Sequence, residues 1–449
     1  MLVALLIAYS LGLVALGLWF GRQVRQSEAF FVAGRSLGPG LLFSTLLAAN
    51  IGAGSTVGAT GLAYTDGWAA WWWNGSAGIG SLVLAFWIGP RVWREAEARG
   101  YLSVGDFFDF HFGKGVRSLA ALMIWLGSFV ILCGQLRGAA EVLQRVAGLS
   151  IHVGAMIAAV LVAAYFGASG LFGTARINTL QLIVKLSGFL LAAPFALAHA
   201  GGMAAIETGT SFWRGTQVGW PTLLLLGPAF FLSPGLLQKA YGARSARTVT
   251  IGVAANGIAL MAFAFLPVIL GLAARALHPG LARPEMALPA VLAFDVPPFV
   301  GALALAAVFS AELSAADAVL FMLATSGARD FYRGFLRPAA TDKQVLVVAR
   351  VLALVGCAVG FMLTFWFDSV LSALKMFYSI MVAGLFAPTL GGLYMPQAGR
   401  WSALASMLVG VTIFLLTDIL TGGAGYGWAA PSFLGMLASG LTYIVLGVF

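Results

Sequence analysis

Charge is scarce in this chain of 449 residues: Asp, Glu, Lys and Arg make up 9% of it, against 61% hydrophobic residues. So little charge cannot cover a globular surface of this size, which excludes a water-soluble protein and makes lipid the solvent for most of the chain. Cysteine is scarcer still. Cys133 and Cys357 lie inside apolar runs and read as packing thiols, so a disulfide framework is excluded. The four histidines, His111, His152, His199 and His278, show no metal-ligand spacing. No pattern of catalytic residues points to an enzyme. The net charge of +9 comes with no basic stripe interleaved with aromatics, so nucleic acid is not an expected partner.

What the chain does have is apolar length. A bilayer span takes about 20 apolar residues, and about thirteen runs of that length follow one another between short polar breaks. The first, residues 1–21, is followed by Arg22, Arg25 and Arg35 rather than by a cleavage site, and reads as a retained helix. Threading the runs alternately puts about 18 Lys and Arg on one side and about four on the other, which predicts an external N-terminus and a cytoplasmic C-terminus in a cell (inner) membrane.

After the first helix, core helices are expected at 38–64, 68–91, 117–147, 151–169 and 174–200. A second set follows at 219–240, 248–276, 297–328, 346–367 and 369–394, with extra helices at 402–421 and 428–447. The longest connections, 90–117, 329–345 and the Pro-rich 277–297, read as loops or short surface helices. The domain reading is an N-terminal helix and loop (1–37), a first set of five helices (38–200), a second set (201–395) and two C-terminal helices (396–449).

Two core helices carry internal interruptions. The first contains Ala49-Asn50-Ile51-Gly52-Ala53-Gly54-Ser55, where closely spaced glycines weaken the helical ladder at mid-membrane depth. The sixth contains Gly227-Pro228 and Ser233-Pro234-Gly235, where each proline deletes a backbone donor. Unwound backbone is tolerated in hydrocarbon only where it lines a cavity or is buried by protein. Paired interruptions in corresponding helices of two halves point to a transport site between inverted repeats. The plainer reading is that Gly and Pro are common in membrane helices, where Gly permits close packing.

Several stretches resemble the sodium/solute symporter family, the group of sodium:glucose and sodium:proline transporters. Ser27-Glu28-Ala29-Phe30-Phe31-Val32-Ala33-Gly34-Arg35-Ser36-Leu37 is similar to the family's entry to core helix 1, and Ala48-Ala49-Asn50-Ile51 to its helix 1 break. YLSVGDFFDFHFG, starting at Tyr101, resembles a third family segment, with His111 in place of the usual arginine. Gln238-Lys239-Ala240-Tyr241-Gly242-Ala243-Arg244-Ser245 resembles the stretch after helix 6, and the segment from Leu393 to Gly410 a further one. The matches keep the family's order across nearly the whole chain. The resemblance implies an all-α LeuT-type fold, with core helices 1–5 and 6–10 as 5+5 inverted repeats, broken helices 1 and 6, alternating access and a sodium gradient as driving force.

By the same resemblance, the shared sodium site takes backbone oxygens at Ala48, Ile51 and Ala311 and hydroxyls at the positions of Ser314 and Ala315. Asp330-Phe331-Tyr332 sets the helix 8 register, so Ser314-Ala315-Ala316-Asp317 stands on the family's "STAD". Ser314 and Asp317 are retained, while Ala315 lacks the second hydroxyl, so a site of five ligands drops to four or needs water. Asn178 stands where some members have an aspartate serving an additional sodium site, which argues against a second coupled sodium. The solute-contacting places fall on Asn50, Ser55, Trp73 and Asn74, with Phe231 and Ser233 near the gate. Trp71 and Trp72 read as an interfacial aromatic belt. Ser55 and Asn74 replace larger polar groups of sugar transporters, which favours a small organic solute such as an amino acid, carboxylate or vitamin-like acid.

Lys185 lies seven residues after Asn178, roughly 10.5 Å and almost two turns along the same helical face, which should point at helix 8. A central lysine costs on the order of 2.5 to 3.5 kcal/mol to insert and therefore needs a partner or a task. Three are open: a structural pair with Asp317 or Glu312, a tethered cation that replaces sodium near Ser314, or a partner for a substrate carboxylate. Asn178, Lys185 and Asp317 are thus coupling candidates. Arg137 and Glu141 read as an i,i+4 pair, Lys375 as a snorkelling residue, and Asp106 and Asp109 as solvated loop positions. A sodium-independent or proton-coupled carrier is the alternative within this fold. A channel would want a repeated selectivity element or rings of like charge, and the chain has neither.

Overall fold

The computed structural model describes residues 2–21, 31–206, 211–213, 215–395 and 397–448, with side chains left aside at 2–5, 18, 20–21, 165, 167–173 and 215–218. Ser27 to Phe30 of the entry motif, with Arg22 and Arg25, lie outside the described residues. All regular structure described is helical. Among the described residues, nine helices are long and apolar enough to cross a membrane, or ten if the bent pair Pro39–Asn50 and Gly54–Arg99 counts as one span.

The N-terminal helix α1 (Leu2–Gly21) is followed by α2 (Pro39–Asn50), a π turn at Gly54–Gly58, then α3 (Ala59–Asp66), α4 (Trp71–Val83), α5 (Gly89–Arg99), α6 (Val104–Phe112) and α7 (Lys114–Ala147). The residues expected as two helices at 151–169 and 174–200 form one continuous helix, α8 (Ile151–His199), with two apolar stretches at Ile151–Ala164 and Thr174–His199. The join carries no proline, and Pro194 is the helix's only one, so no backbone donor is missing from the ladder there.

The second half comprises α9 (Gly215–Leu232), α10 (Pro234–Tyr241), α11 (Ala246–Phe263), α12 (Phe265–Leu277), α13 (Ala287–Phe294), α14 (Pro298–Thr325), α15 (Asp342–Leu363) and α16 (Val370–Tyr394). The chain closes with α17 (Arg400–Thr421) and α18 (Pro431–Val448). The Pro-rich connection is not a surface loop throughout, because α13 is buried over most of its length.

Burial separates an inner set of helices from a lipid-facing one. α14 is buried almost throughout, whereas α18 exposes Leu437, Leu441, Ile444 and Val445. An apolar side chain facing outward costs nothing when the surroundings are hydrocarbon, so periodicity marks the protein side weakly. Close approach inside uses small residues: a Cβ on Gly52 would collide with the Ala315 methyl and with Gln135 Oε1, so the helix 1 break sits directly on α14 and α7.

Candidate cation and substrate site

α2 and the segment Gly54–Arg99 after it meet at an angle of 63°, and Ile51 leaves helical geometry at φ −86°, ψ 88°. A break strands backbone donors and acceptors that hydrocarbon cannot satisfy, and here several find partners. Ala53 N–H donates to Gln135 Oε1 at 2.8 Å. Asn50 O accepts from Ser55 Oγ at 2.6 Å, and Gly52 O from the N–H groups of Ser55 and Thr56 at 2.9 and 3.0 Å. Two further carbonyls, Ala48 O and Ile51 O, accept from one donor, Lys185 Nζ, at 2.6 and 3.0 Å.

The third contact of that ammonium is Ser314 Oγ. Ser314 in turn lies 2.9 Å from Ala48 O and 3.1 Å from Ala311 O, so its own proton is shared with α2 or its own helix. Lys185 and Ser314 are both fully buried. Ala48, Ile51, Ala311 and Ser314 therefore converge, while the Ala315 methyl adjoins Gly52 and offers no oxygen. Of the tasks open to Lys185, structural pairing is not what the geometry has. No carboxylate lies within ion-pair distance of it among the described residues, because the three α2 and α14 oxygens take all its donors.

Asn178 Nδ2 donates to Thr45 Oγ1 at 3.1 Å, one level away from the break. The backbone oxygen of Thr45 accepts from Lys239 Nζ at 3.0 Å. Lys239 is a second buried lysine, marked in the sequence only by its place in the motif after helix 6. Asp317 shares the electrostatic neighbourhood of Lys239 rather than that of Lys185. Glu312 faces Lys185 across the core, and its Oε1 accepts from Thr56 Oγ1 at 2.7 Å.

A cavity of about 80 Å³ opens beside the break. Asn50, Ser55, Trp73, Asn74 and Ser233 line it, as do Gln135, Phe230, Lys239, Phe377 and Tyr378. Phe231 does not. It packs against Phe386, because one residue along a helix turns the side chain by about 100° and only Phe230 then faces inward. The cavity wall is tied down behind its surface: Asn74 Nδ2 donates to Ser55 O at 3.1 Å, and Asn50 Nδ2 to Asn256 Oδ1 at 3.1 Å, with Asn256 held in turn by Ser81. The second break lies between α9 and α10, where Ser233 adopts φ −51°, ψ 118° ahead of Pro234 and its carbonyl starts the next helix at Leu237 N.

Trp73 also borders a wider vestibule of about 360 Å³, with Lys375, Ser379 and Asp418 on its walls, so Lys375 faces a water-accessible mouth. Trp71 and Trp72 do not form a lipid-facing belt. Their indole N–H groups donate to Met261 O and Phe212 O, and their rings pack against Phe212. At the opposite end Asp106 and Asp109 are not merely solvated. Asp106 closes a capping box with Ser103, and Arg117 joins Asp106, Asp109 and buried Asp330. Arg137 and Glu141 also choose other partners: Arg137 donates to Thr364 O and Phe367 O, while Glu141 takes a bidentate pair from Arg283.

Broken helices crossing at a buried polar cavity, in a bundle of membrane-length helices, define a multi-pass membrane transporter. The model of the sodium:solute symporter family matches residues 30–410, and the chain belongs to that family. It is 25% identical to the human high affinity choline transporter 1, over 96% of this chain and 78% of that protein. It is 22% identical to the high-affinity proline transporter PutP of Bacillus subtilis, over 97% and 94%. In fold it is similar to a Na⁺-coupled sialic acid symporter in a substrate-bound outward-open state, with a TM-score of 0.86 at 17% identity, covering 100% of this chain and 98% of that one. Mhp1, a nucleobase-cation-symport-1 family transporter, is similar at a TM-score of 0.66 and 16% identity, covering 93% of each chain.

Proposed function

We propose that this protein is a secondary active transporter that moves a small carboxylate-bearing organic solute through the cavity at the paired helix breaks by alternating access. The observation that carries the reading is the cavity itself, walled by side chains from α4, α7, α9, α14 and α16 and by both broken helices. A pocket at a junction of rigid segments can be opened to one side or the other by rocking one set of helices against the other. We place the 5+5 repeats at 38–200 and 201–395, the N-terminus outside and the C-terminus in the cytoplasm.

The size of the pocket supports a small solute. At about 80 Å³ the cavity lies well above the roughly 10 to 15 Å³ that one water needs and has room for a small solute. Its charge supports a carboxylate, because among the described residues the only ionisable side chain with strong charge on its wall is Lys239. Trp73, Phe230, Phe377 and Tyr378 supply apolar faces for the rest of the molecule. Relatives carry proline in one case and choline in another, and a quaternary ammonium would instead use those rings without needing the lysine.

The family implies sodium as the coupling ion, with Ala48, Ile51, Ala311 and Ser314 as its oxygens. The position of Lys185 Nζ favours a second reading of the coupling, developed below. The transport reading is tested by uptake of a radiolabelled panel (L-proline, other amino acids, short carboxylates and choline) into proteoliposomes. Uptake of a carboxylate-bearing solute, lost in Lys239→Gln, is expected. Uptake of choline alone would refute the substrate class, and uptake of nothing in the panel would count against a small-solute carrier.

A further inference from the structure

We infer that the ammonium of Lys185 is the resident cation of this transporter and stands where sodium would bind, so the transport cycle uses no sodium at that site. The inference rests on the transporter reading above and departs from the coupling ion the family implies.

The donor count carries it. A lysine ammonium has three N–H donors and accepts nothing, and Lys185 meets three oxygens: Ala48 O, Ile51 O and Ser314 Oγ. Two of these are carbonyls released by the helix 1 break and the third is the retained hydroxyl of α14. They are the oxygens a hard cation would need, and Nζ already lies on them. A sodium ion there would sit about one contact distance from a like charge in a site with no access to water, where repulsion is least screened. The sequence change next door fits the same occupant. Ala315 removes a hydroxyl that sodium would use and that an ammonium with three filled donors does not need.

The ammonium bridges α2 to α8 and α14 through three hydrogen bonds. The charged groups facing the lysine are Glu312, two residues before Ser314, and Lys239 from α10, itself next to Asp317. Glu312 Oε2 has no hydrogen-bond partner among the described residues, so a compensating carboxylate stands nearby without blocking the ammonium.

Binding of radiolabelled sodium to the purified full chain tests the inference without any solute. Wild type is expected to show no saturable binding at neutral pH, while Lys185→Ala/Ala315→Ser, which empties the cluster and restores the missing hydroxyl, gains binding at least about tenfold above wild type. Saturable binding to wild type that Ser314→Ala abolishes overturns the inference, and this arm stands even if the double variant does not fold. In proteoliposomes, uptake of the panel solutes in N-methylglucamine chloride is expected to stay within about twofold of that in sodium chloride and to vanish in Lys185→Ala. A tenfold dependence on sodium overturns it. Absence of uptake in both salts refutes the transport reading alone, and the sodium-binding result then decides the identity of the cation.

Discussion

Replacing Arg117 with methionine tests whether charge holds the end of the bundle at α6. The guanidinium lies 3.1, 2.8 and 3.1 Å from Asp106, Asp109 and Asp330, with 12% of its side chain exposed and 2% of that of Asp330. Methionine keeps much of the stem's packing and deletes the charge. Asp330 is then left with Ser103 as a donor but with no cation in ion-pair contact, since Arg329 pairs with Asp106. Removing one partner of a buried pair costs about 3 to 5 kcal/mol, and the remaining Ser103 donor puts this case near the lower end, about 3 kcal/mol. Asp330→Asn removes the stranded charge, so the double variant should recover about 1 to 2 kcal/mol of that loss. Melting temperatures of the purified proteins in one detergent give the readout. The expected order is wild type highest, Arg117→Met/Asp330→Asn intermediate and Arg117→Met lowest. A double variant that melts below both single variants, or an Arg117→Met protein as stable as wild type, would refute the reasoning.

Two further outcomes are expected. Phe230→Ala should raise the KM for solute uptake several-fold while Phe231→Ala leaves it within about twofold, because only Phe230 lines the cavity; equal effects on KM would contradict that assignment. Arg283→Ala should lower the melting temperature more than Glu141→Gln does. It strands a carboxylate that is 2% exposed, at about 3 kcal/mol, whereas Arg283 is 34% exposed and rehydrates when its partner is neutralised, at about 1 kcal/mol. The reverse order of melting temperatures would contradict the burial argument.

The membrane setting, most helix positions and the break at Asn50-Ile51-Gly52 follow from the sequence alone, because apolar length and the backbone chemistry of Gly and Pro act locally. The family, too, is legible in ordered motifs spread over the chain. Partner choice is not. Lys185 has an obvious reason in the sequence to seek Asp317 or Glu312, yet it lies against Ala48 O, Ile51 O and Ser314 Oγ, because an unwound helix offers backbone oxygens that no side-chain pattern announces. Arg137 turns from the neighbouring Glu141 to carbonyls at the end of α15 for the same reason. Phe230 rather than Phe231, and Lys239 at all, become cavity residues only through helix rotation and crossing, which a hydrophobic stretch with no polar face leaves unspecified. The sequence by itself determined that a polar break must be buried in this membrane protein. Only the tertiary structure decided what meets the break, since that depends on three helices distant in sequence delivering one ammonium and three oxygens to the same point.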